Sequence, residues 1–253
     1  MLDKLKFDGR PVIVTGAGSG IGQACCEVLA ELGATVILVG RTMEKLKQTE
    51  ALIPGAACES HEVDVSVEAE IEALRRTLAG RHDHIKAVIN NAGTNFVKKI
   101  TELETGDWNR IIATDLSSVF YMCRAFIPMM TGAPGGGSIV NVASTFGLIG
   151  HPEMPVYCAA KGGMVSLTRQ LAVDFGTENI RVNSLCPGAT LSPRVRHYID
   201  SGMVDGKAVE ELALLKRLAT CDEVANAAIF LASDAASYIH GTALVVDGGQ
   251  TVH

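Results

Sequence analysis

Short β-branched runs alternate with longer helical patterns from one end of this 253-residue chain to the other. Strands are expected at Pro11–Thr15, Thr35–Val39, Ser60–Val65, Ala87–Asn90, Gly137–Val142, Arg181–Leu185 and Ala243–Val246. Helices are expected at Ile21–Leu32, Met43–Leu52, Glu68–Ala79, Trp108–Met130, Val156–Phe175 and Cys221–Ala232. Seven strands separated by helix imply a parallel sheet covered on both faces, a doubly wound Rossmann-type α/β fold. Strand twist makes its crossovers right-handed. No linker, repeat or low-complexity segment divides the chain, so residues 1–253 read as a single domain. Gly132–Gly137 is short enough to be a helix-to-strand loop. Residues 189–216 break the alternation after a strand's carboxyl end, where a substrate lid is expected.

Strand one runs into Thr15-Gly16-Ala17-Gly18-Ser19-Gly20-Ile21-Gly22 at the first strand-to-helix junction. Glycine lets backbone approach a pyrophosphate, and the free N–H groups of a helix start attract anions. Gly16, Ser19, Gly20, Ile21 and Gly22 are therefore candidate dinucleotide-binding residues. The end of strand two reports on the adenosine ribose. An acid there would accept from a 2′-hydroxyl, and arginine would meet a 2′-phosphate. Gly40 stands at the acid's position and Arg41 follows. NADP(H) is expected in preference to NAD(H). Asp64 and Val65, read as closing strand three, are candidates to flank the adenine. Asn90-Asn91-Ala92-Gly93 closes strand four with small residues that admit a ligand; Asn90 suits a structural role as well as a contact.

Tyr157 and Lys161 stand four positions apart on an expected helix. A phenol with the usual pKa of about 10 is a poor base at neutral pH, and an ammonium one turn away favours its anion. The pair reads as a tuned proton donor and acceptor.

Taken in order, the glycine loop, Asn90-Asn91-Ala92-Gly93, Ser144, Tyr157-x-x-x-Lys161, Pro187-Gly188 and Val246-Asp247-Gly248-Gly249 resemble the short-chain dehydrogenase/reductase family over essentially the whole chain, on its 3-oxoacyl reductase-like branch. Ser144 stands thirteen positions before Tyr157, the family's usual spacing. The resemblance implies that Tyr157 is the acid in ketone reduction and the base in alcohol oxidation. Ser144 would hydrogen-bond the substrate oxygen, and Lys161 would favour tyrosinate and bind the nicotinamide ribose. Pro187 and Gly188 would shape the nicotinamide pocket, with Thr190 and Ser192 nearby. Asp115 occupies the place of the family's central-helix Asn, which helps hold a water linking the lysine to solvent. An ionised carboxylate there should raise the lysine's pKa and oppose tyrosinate formation.

The expected reaction is hydride transfer between NADP(H) and a small-molecule ketone or secondary alcohol. A 3-oxoacyl-acyl carrier protein reductase is ranked lower. Met130–Gly137 holds no basic residue to grip that acidic partner, and the chain's net charge is −6. A non-catalytic nucleotide-binding regulator would have little use for Ser144, Tyr157 and Lys161 together. Phe96, Phe146, Met154 and Leu191 suggest apolar substrate walls, and His151 and Glu153 add polarity. The acidic balance argues against nucleic acid. No apolar stretch approaches the ~20 residues of a membrane span, and the first ten residues do not form a secretory signal. Seven cysteines without a C-x-x-C pair suit a reducing, cytoplasmic setting, core packing (Cys158 included) and no metal site. The last strand and its flanks, 235–249, resemble those of family members that assemble as homotetramers.

Overall fold

A computed structural model describes residues 2–252. Seven strands form one sheet in the order β3-β2-β1-β4-β5-β6-β7, every neighbouring pair parallel. They are β1 (Pro11–Thr15), β2 (Thr35–Gly40), β3 (Cys58–Glu62), β4 (Ala87–Asn90), β5 (Gly137–Val142), β6 (Ile180–Pro187) and β7 (Ala243–Val246). Successive residues of one strand feed opposite layers. Val12, Val14, Val36 and Leu38 enter the core beneath α1 (Gly20–Glu31), α2 (Met43–Leu52) and α9 (Cys221–Ala232). Ile13, Ile37, Val88 and Ile139 enter the other, beneath α3 (Glu68–Ala79), α5 (Ser118–Phe126) and α6 (Pro155–Phe175). Helices on both faces explain why β1 and β2 carry apolar residues at successive rather than alternate positions.

The chain builds outward from β1 to β3, then returns across β1 to β4. The carboxyl ends of β1 and β4 therefore diverge side by side, and a crevice opens at this reversal.

Two elements lie elsewhere than expected. Strand three is Cys58–Glu62, not Ser60–Val65, because it pairs with β2 only until β2 ends, Gly40 against Glu62. Val63 and Val65 are apolar because they plug the core beneath the following loop, which imitates a strand signal. The long central helix is composite: α4 (Thr105–Ile112), a π-helical turn at Ala113–Ser117, then α5. It begins three residues before the expected Trp108, at a capping box in which Glu104 and Asp107 satisfy each other's backbone N–H groups. The helical run Thr105–Met129 is long and apolar enough to cross a membrane, but half of its most apolar window is buried. Residues 189–216 carry two helices that their mixed polarity concealed, α7 (Pro193–Asp200) and α8 (Gly206–Glu211).

Candidate active site

A cleft of about 510 Å³ runs along the carboxyl ends of the central strands, from Arg41 at one end to Tyr198 at the other. Its floor is the glycine loop. Gly16 and Gly20 have φ of +67° and +59°, a region that side chains disfavour. Gly22 is constrained by space instead. A Cβ there would stand 2.2 Å from the Gly16 carbonyl oxygen and 2.6 Å from Asn91 Nδ2. The N-cap of α1, Ser19, makes no side-chain cap bond, so the helix's first N–H groups are open to an anion. Thr15 ties this loop to the end of β4: its hydroxyl accepts from the Asn91 and Ala92 N–H groups, each at 3.0 Å, and Asn91 Nδ2 donates to the Thr15 carbonyl at 3.0 Å. Asn91, Ala92 and Gly93 line the cleft. Asn90 turns into the sheet, donating to Asn141 Oδ1 at 2.8 Å, a structural role.

Arg41 lines the far end of the cleft with Thr42 and Lys45. The nearby acid, Glu62, is engaged: its carboxylate accepts from the Met43 N–H at 2.9 Å. Asp64 and Val65 line the cleft from the loop beyond β3 rather than from the strand. Asp64 Oδ1 is held by the Ser66 N–H and hydroxyl at 2.9 and 2.7 Å.

The other end holds the titratable groups. Ser144 follows β5 and caps a single 3-10 turn, its Oγ accepting from the Phe146 N–H at 3.1 Å. That bond occupies a lone pair and leaves the hydroxyl proton free to donate. Gly147 lets this turn rest on α6, since a Cβ there would stand 2.8 Å from the Lys161 carbonyl carbon and oxygen. The serine is thereby set against the helix bearing Tyr157 and Lys161. Lys161 is buried, with its Nζ donating to the Val142 carbonyl at 3.0 Å and lying 5.5 Å from the Tyr157 ring centroid.

Asp115 projects from the π-helical turn and is fully buried. Its Oδ2 accepts from the Thr94 N–H at 2.8 Å, and Oδ1 lies 3.3 Å from Lys161 Nζ. The second contact is ionic without hydrogen-bond alignment, so Oδ1 has no hydrogen-bond partner in the protein. Burial raises the Asp115 pKa above the ordinary carboxylate value, against the pull of Lys161 and the Thr94 N–H. Burial alone would lower the pKa of Lys161. The Asp115 charge, followed by Tyr157, outweighs it and holds the ammonium above the ordinary lysine value. Gly93 completes the packing: a Cβ there would meet Asp115 Oδ1 at 2.7 Å.

Pro187 and Gly188 form the wall opposite. Gly188 backs onto Asp247, whose Cα would lie 2.8 Å from a Cβ on the glycine. Asp247 itself is a turn-former, accepting from the Gly249 and Thr251 N–H groups at 2.9 and 2.8 Å. Thr190 and Ser192 line the cleft, Thr190 Oγ donating to the Gly188 carbonyl at 3.1 Å and Ser192 capping α7.

The substrate walls depart from expectation in part. Phe146 and Met154 line the cleft, and His151 packs at a tilt against Phe146 with ring centroids 4.3 Å apart. Phe96 packs instead on a separate cluster beneath the Arg110 guanidinium, and Leu191 lines a small neighbouring hollow. Glu153 lies outside the cleft near Lys99. Val195, Tyr198, Val209 and Leu212 take their place. They come from α7 and the segment around α8, which the sequence pattern left as irregular. Arg194 and Lys45 also escaped the sequence reading, for no motif marks them. Among the described residues no group of three potential metal ligands comes together.

A family model described as enoyl-(acyl carrier protein) reductase matches residues 16–251. The chain is 34% identical to a D-beta-hydroxybutyrate dehydrogenase of Rhizobium meliloti (strain 1021), over 96% of this chain and 98% of that one. It is 37% identical to a cyclopentanol dehydrogenase of Comamonas sp. (strain NCIMB 9872), over 98% and 99%. The structure of ElxO with NADP bound superposes with a TM-score of 0.91 at 26% identity, covering 97% of this chain and all of that one. Glycine cradle, open helix start and buried serine and lysine beside a tyrosine suit the nicotinamide dinucleotide that such relatives use. The chain belongs to the short-chain dehydrogenase/reductase family, and is an NAD(P)-dependent oxidoreductase acting on CH–OH/C=O groups.

Proposed function

We propose that this enzyme interconverts a small-molecule ketone and its secondary alcohol with NADP(H), and that Tyr157 is its acid/base. The observation that carries the reading is one cleft with Ser144, Tyr157 and Lys161 at one end and Arg41, with Lys45, at the other. The cofactor supplies the hydride chemistry; the chain supplies position and protons. The open start of α1 and the glycine loop bind the pyrophosphate. Arg41 and Lys45 face the adenosine ribose, while Glu62 directs one carboxylate oxygen to the Met43 N–H and Asp64 directs one to Ser66. That arrangement suits a 2′-phosphate.

At the reacting oxygen, negative charge grows as the carbonyl is reduced. The free Ser144 proton donates to that oxygen and holds it beside the Tyr157 hydroxyl. Tyr157 then gives up its proton in reduction, or takes one in oxidation. Lys161 spends one of its three N–H bonds on the Val142 carbonyl and faces Asp115 as an ionic neighbour, leaving donors for a ribose hydroxyl. Asp115 positions this lysine and pins the Thr94 backbone, and we assign it the place of the family's Asn in the proton relay. An unchanged pH–rate profile in Asp115→Asn would remove that role.

Residues 189–216, with α7 and α8, form the substrate lid within a single domain. A homotetramer and a cytoplasmic setting are the further readings, supported by the free edge of β7 and by seven unpaired cysteines. A panel of ketones with NADPH, and of alcohols with NADP⁺ and NAD⁺, tests the assignment. Turnover preferring the phosphorylated cofactor supports it, and equal or better use of NAD⁺ overturns the cofactor preference. Sedimentation as a monomer would remove the tetramer.

A further inference from the structure

Arg194 is the second residue of α7, and its Nη2 donates 2.9 Å across the cleft to the carbonyl of Gly93. The two residues before it bracket the glycine loop. A Cβ on Gly20 would stand 3.4 Å from Pro193 Cδ and 3.5 Å from Ser192 Cβ. The side chain thus starts beside the anion-binding loop and ends beside the lysine. Gly93 is the same residue whose added Cβ would lie 3.5 Å from Lys161 Nζ.

The charges at this end of the cleft do not cancel. Asp115 faces Lys161 at 3.3 Å, and each side chain is almost wholly buried. Arg194 has no carboxylate within ion-pair distance among the described residues. Its positive charge is nonetheless felt at both Asp115 and Lys161. The apolar residues beyond it, among them Met154, Val195 and Leu212, offer no acid either. A guanidinium has five N–H donors in a planar fork suited to carboxylate and phosphate. A single neutral carbonyl uses one of them.

We propose that Arg194 is an oxyanion clamp: on ligand binding its fork leaves the Gly93 carbonyl and takes a phosphate or carboxylate oxygen. Two ligands bring such an oxygen, the pyrophosphate of the dinucleotide and a carboxylate on the substrate. The clamp rests on the dinucleotide-dependent reading above. It goes beyond it in naming an anion-recognising residue that neither the glycine loop nor the Ser144–Tyr157–Lys161 group contains.

The test uses the full-length enzyme and Arg194→Met, which keeps the apolar stem, with Arg194→Lys as a second variant. Melting temperature checks folding, and the exposed position predicts little change. Binding of NADPH and of ADP-ribose, which has the pyrophosphate but no nicotinamide, is measured by titration at two salt concentrations. KM is measured for matched pairs of an oxo acid and the corresponding neutral methyl ketone. A charge-assisted bond lost should weaken binding about tenfold or more. If the clamp holds the pyrophosphate, both nucleotides weaken by that factor, less so at high salt and less in Arg194→Lys. If it holds a substrate carboxylate, nucleotide binding is unchanged and KM rises for the oxo acid alone. Equal nucleotide affinities together with equal KM values for both members of each pair would overturn the clamp. Absence of nucleotide binding in the unaltered enzyme would overturn instead the reading on which it rests.

Discussion

Replacing Asp115 by Asn removes one charge from the most deeply buried ion pair in the site while keeping the side chain's shape. The Asn carbonyl oxygen can still accept from the Thr94 N–H, as Oδ2 does at 2.8 Å. Its amide then turns a donor toward Lys161 Nζ, which now faces Oδ1 at 3.3 Å. Breaking a buried pair by removing one partner costs about 3–5 kcal/mol, because the other charge is left uncompensated. Lys161 keeps its 3.0 Å bond to Val142, so the lower end applies, about 3 kcal/mol at pH 7. For a chain of this size that is roughly 6–12 °C in Tm.

The sign of the pH dependence identifies the cause. In the unaltered enzyme Lys161 has a folded pKa above its ordinary 10.5, so its stabilisation is fully present below about that pH and is lost as pH rises through the folded value. In the variant the pull of Asp115 is gone, and burial, the largest influence on this lysine, is expected to draw its folded pKa down against Tyr157 alone. Between that lowered folded value and the ordinary 10.5 the unfolded chain binds the extra proton, and stability rises with pH across that window. The deficit of Asp115→Asn should therefore shrink between pH 7 and pH 10. Urea unfolding across that range measures it, provided the m-values agree. The double variant Asp115→Asn/Lys161→Met, with no charge left at the pair, should recover part of the loss. A single variant within about 0.5 kcal/mol of the parent at pH 7, or a deficit that does not change with pH, would show that the two groups do not face each other as opposite charges.

Gly22→Ala should abolish nucleotide binding, since its methyl would stand 2.2 Å from the Gly16 oxygen; titration with NADPH checks this. Arg41→Asp should weaken NADP(H) by tenfold or more and spare NAD(H), read from the ratio of kcat/KM values, because a charge-assisted bond is exchanged for repulsion of the 2′-phosphate. Tyr157→Phe should lower kcat by roughly 10²–10⁴ with little change in NADPH affinity, in line with loss of a general acid. Asp234→Asn should destabilise by about 2 kcal/mol in thermal or urea unfolding, a value reduced for its partial exposure. It withdraws the carboxylate 2.7 Å from buried Lys86 and 3.0 Å from Arg10. Its folded pKa is depressed below 3.8, so the parent should lose this contribution as pH falls below that value, and the variant should not.

The sheet and its ligand end were legible from the chain alone because burial on both faces makes the central strands β1 and β2 apolar at successive positions, and because glycines at a strand-to-helix turn have few other uses. The spacing of Tyr157 and Lys161 needed only the helical period, and Ser144 only its distance from them. Where local pattern had a second cause, it misled. Val63 and Val65 are apolar for the core, not for a strand, so β3 was expected too late. Phe96 packs in a side cluster rather than lining the cleft.

Other features depend on packing between distant segments and have no period to read. The ionic partnership of Asp115 with Lys161 exists because a π-helical turn points the carboxylate beneath Gly93, with Leu116 of that same turn packed on Gly163 of α6. Gly147 seats the serine turn on α6, and Arg194 reaches a carbonyl a hundred residues earlier in the chain. Sequence alone thus determined the fold class, the glycine loop at the first strand-to-helix turn and the placing of Tyr157 and Lys161 one turn apart on a single helix, since each is written in local spacing. Tertiary structure alone decided which charges in the cleft are neutralised and which remains open to a ligand, because charges cancel by proximity in space.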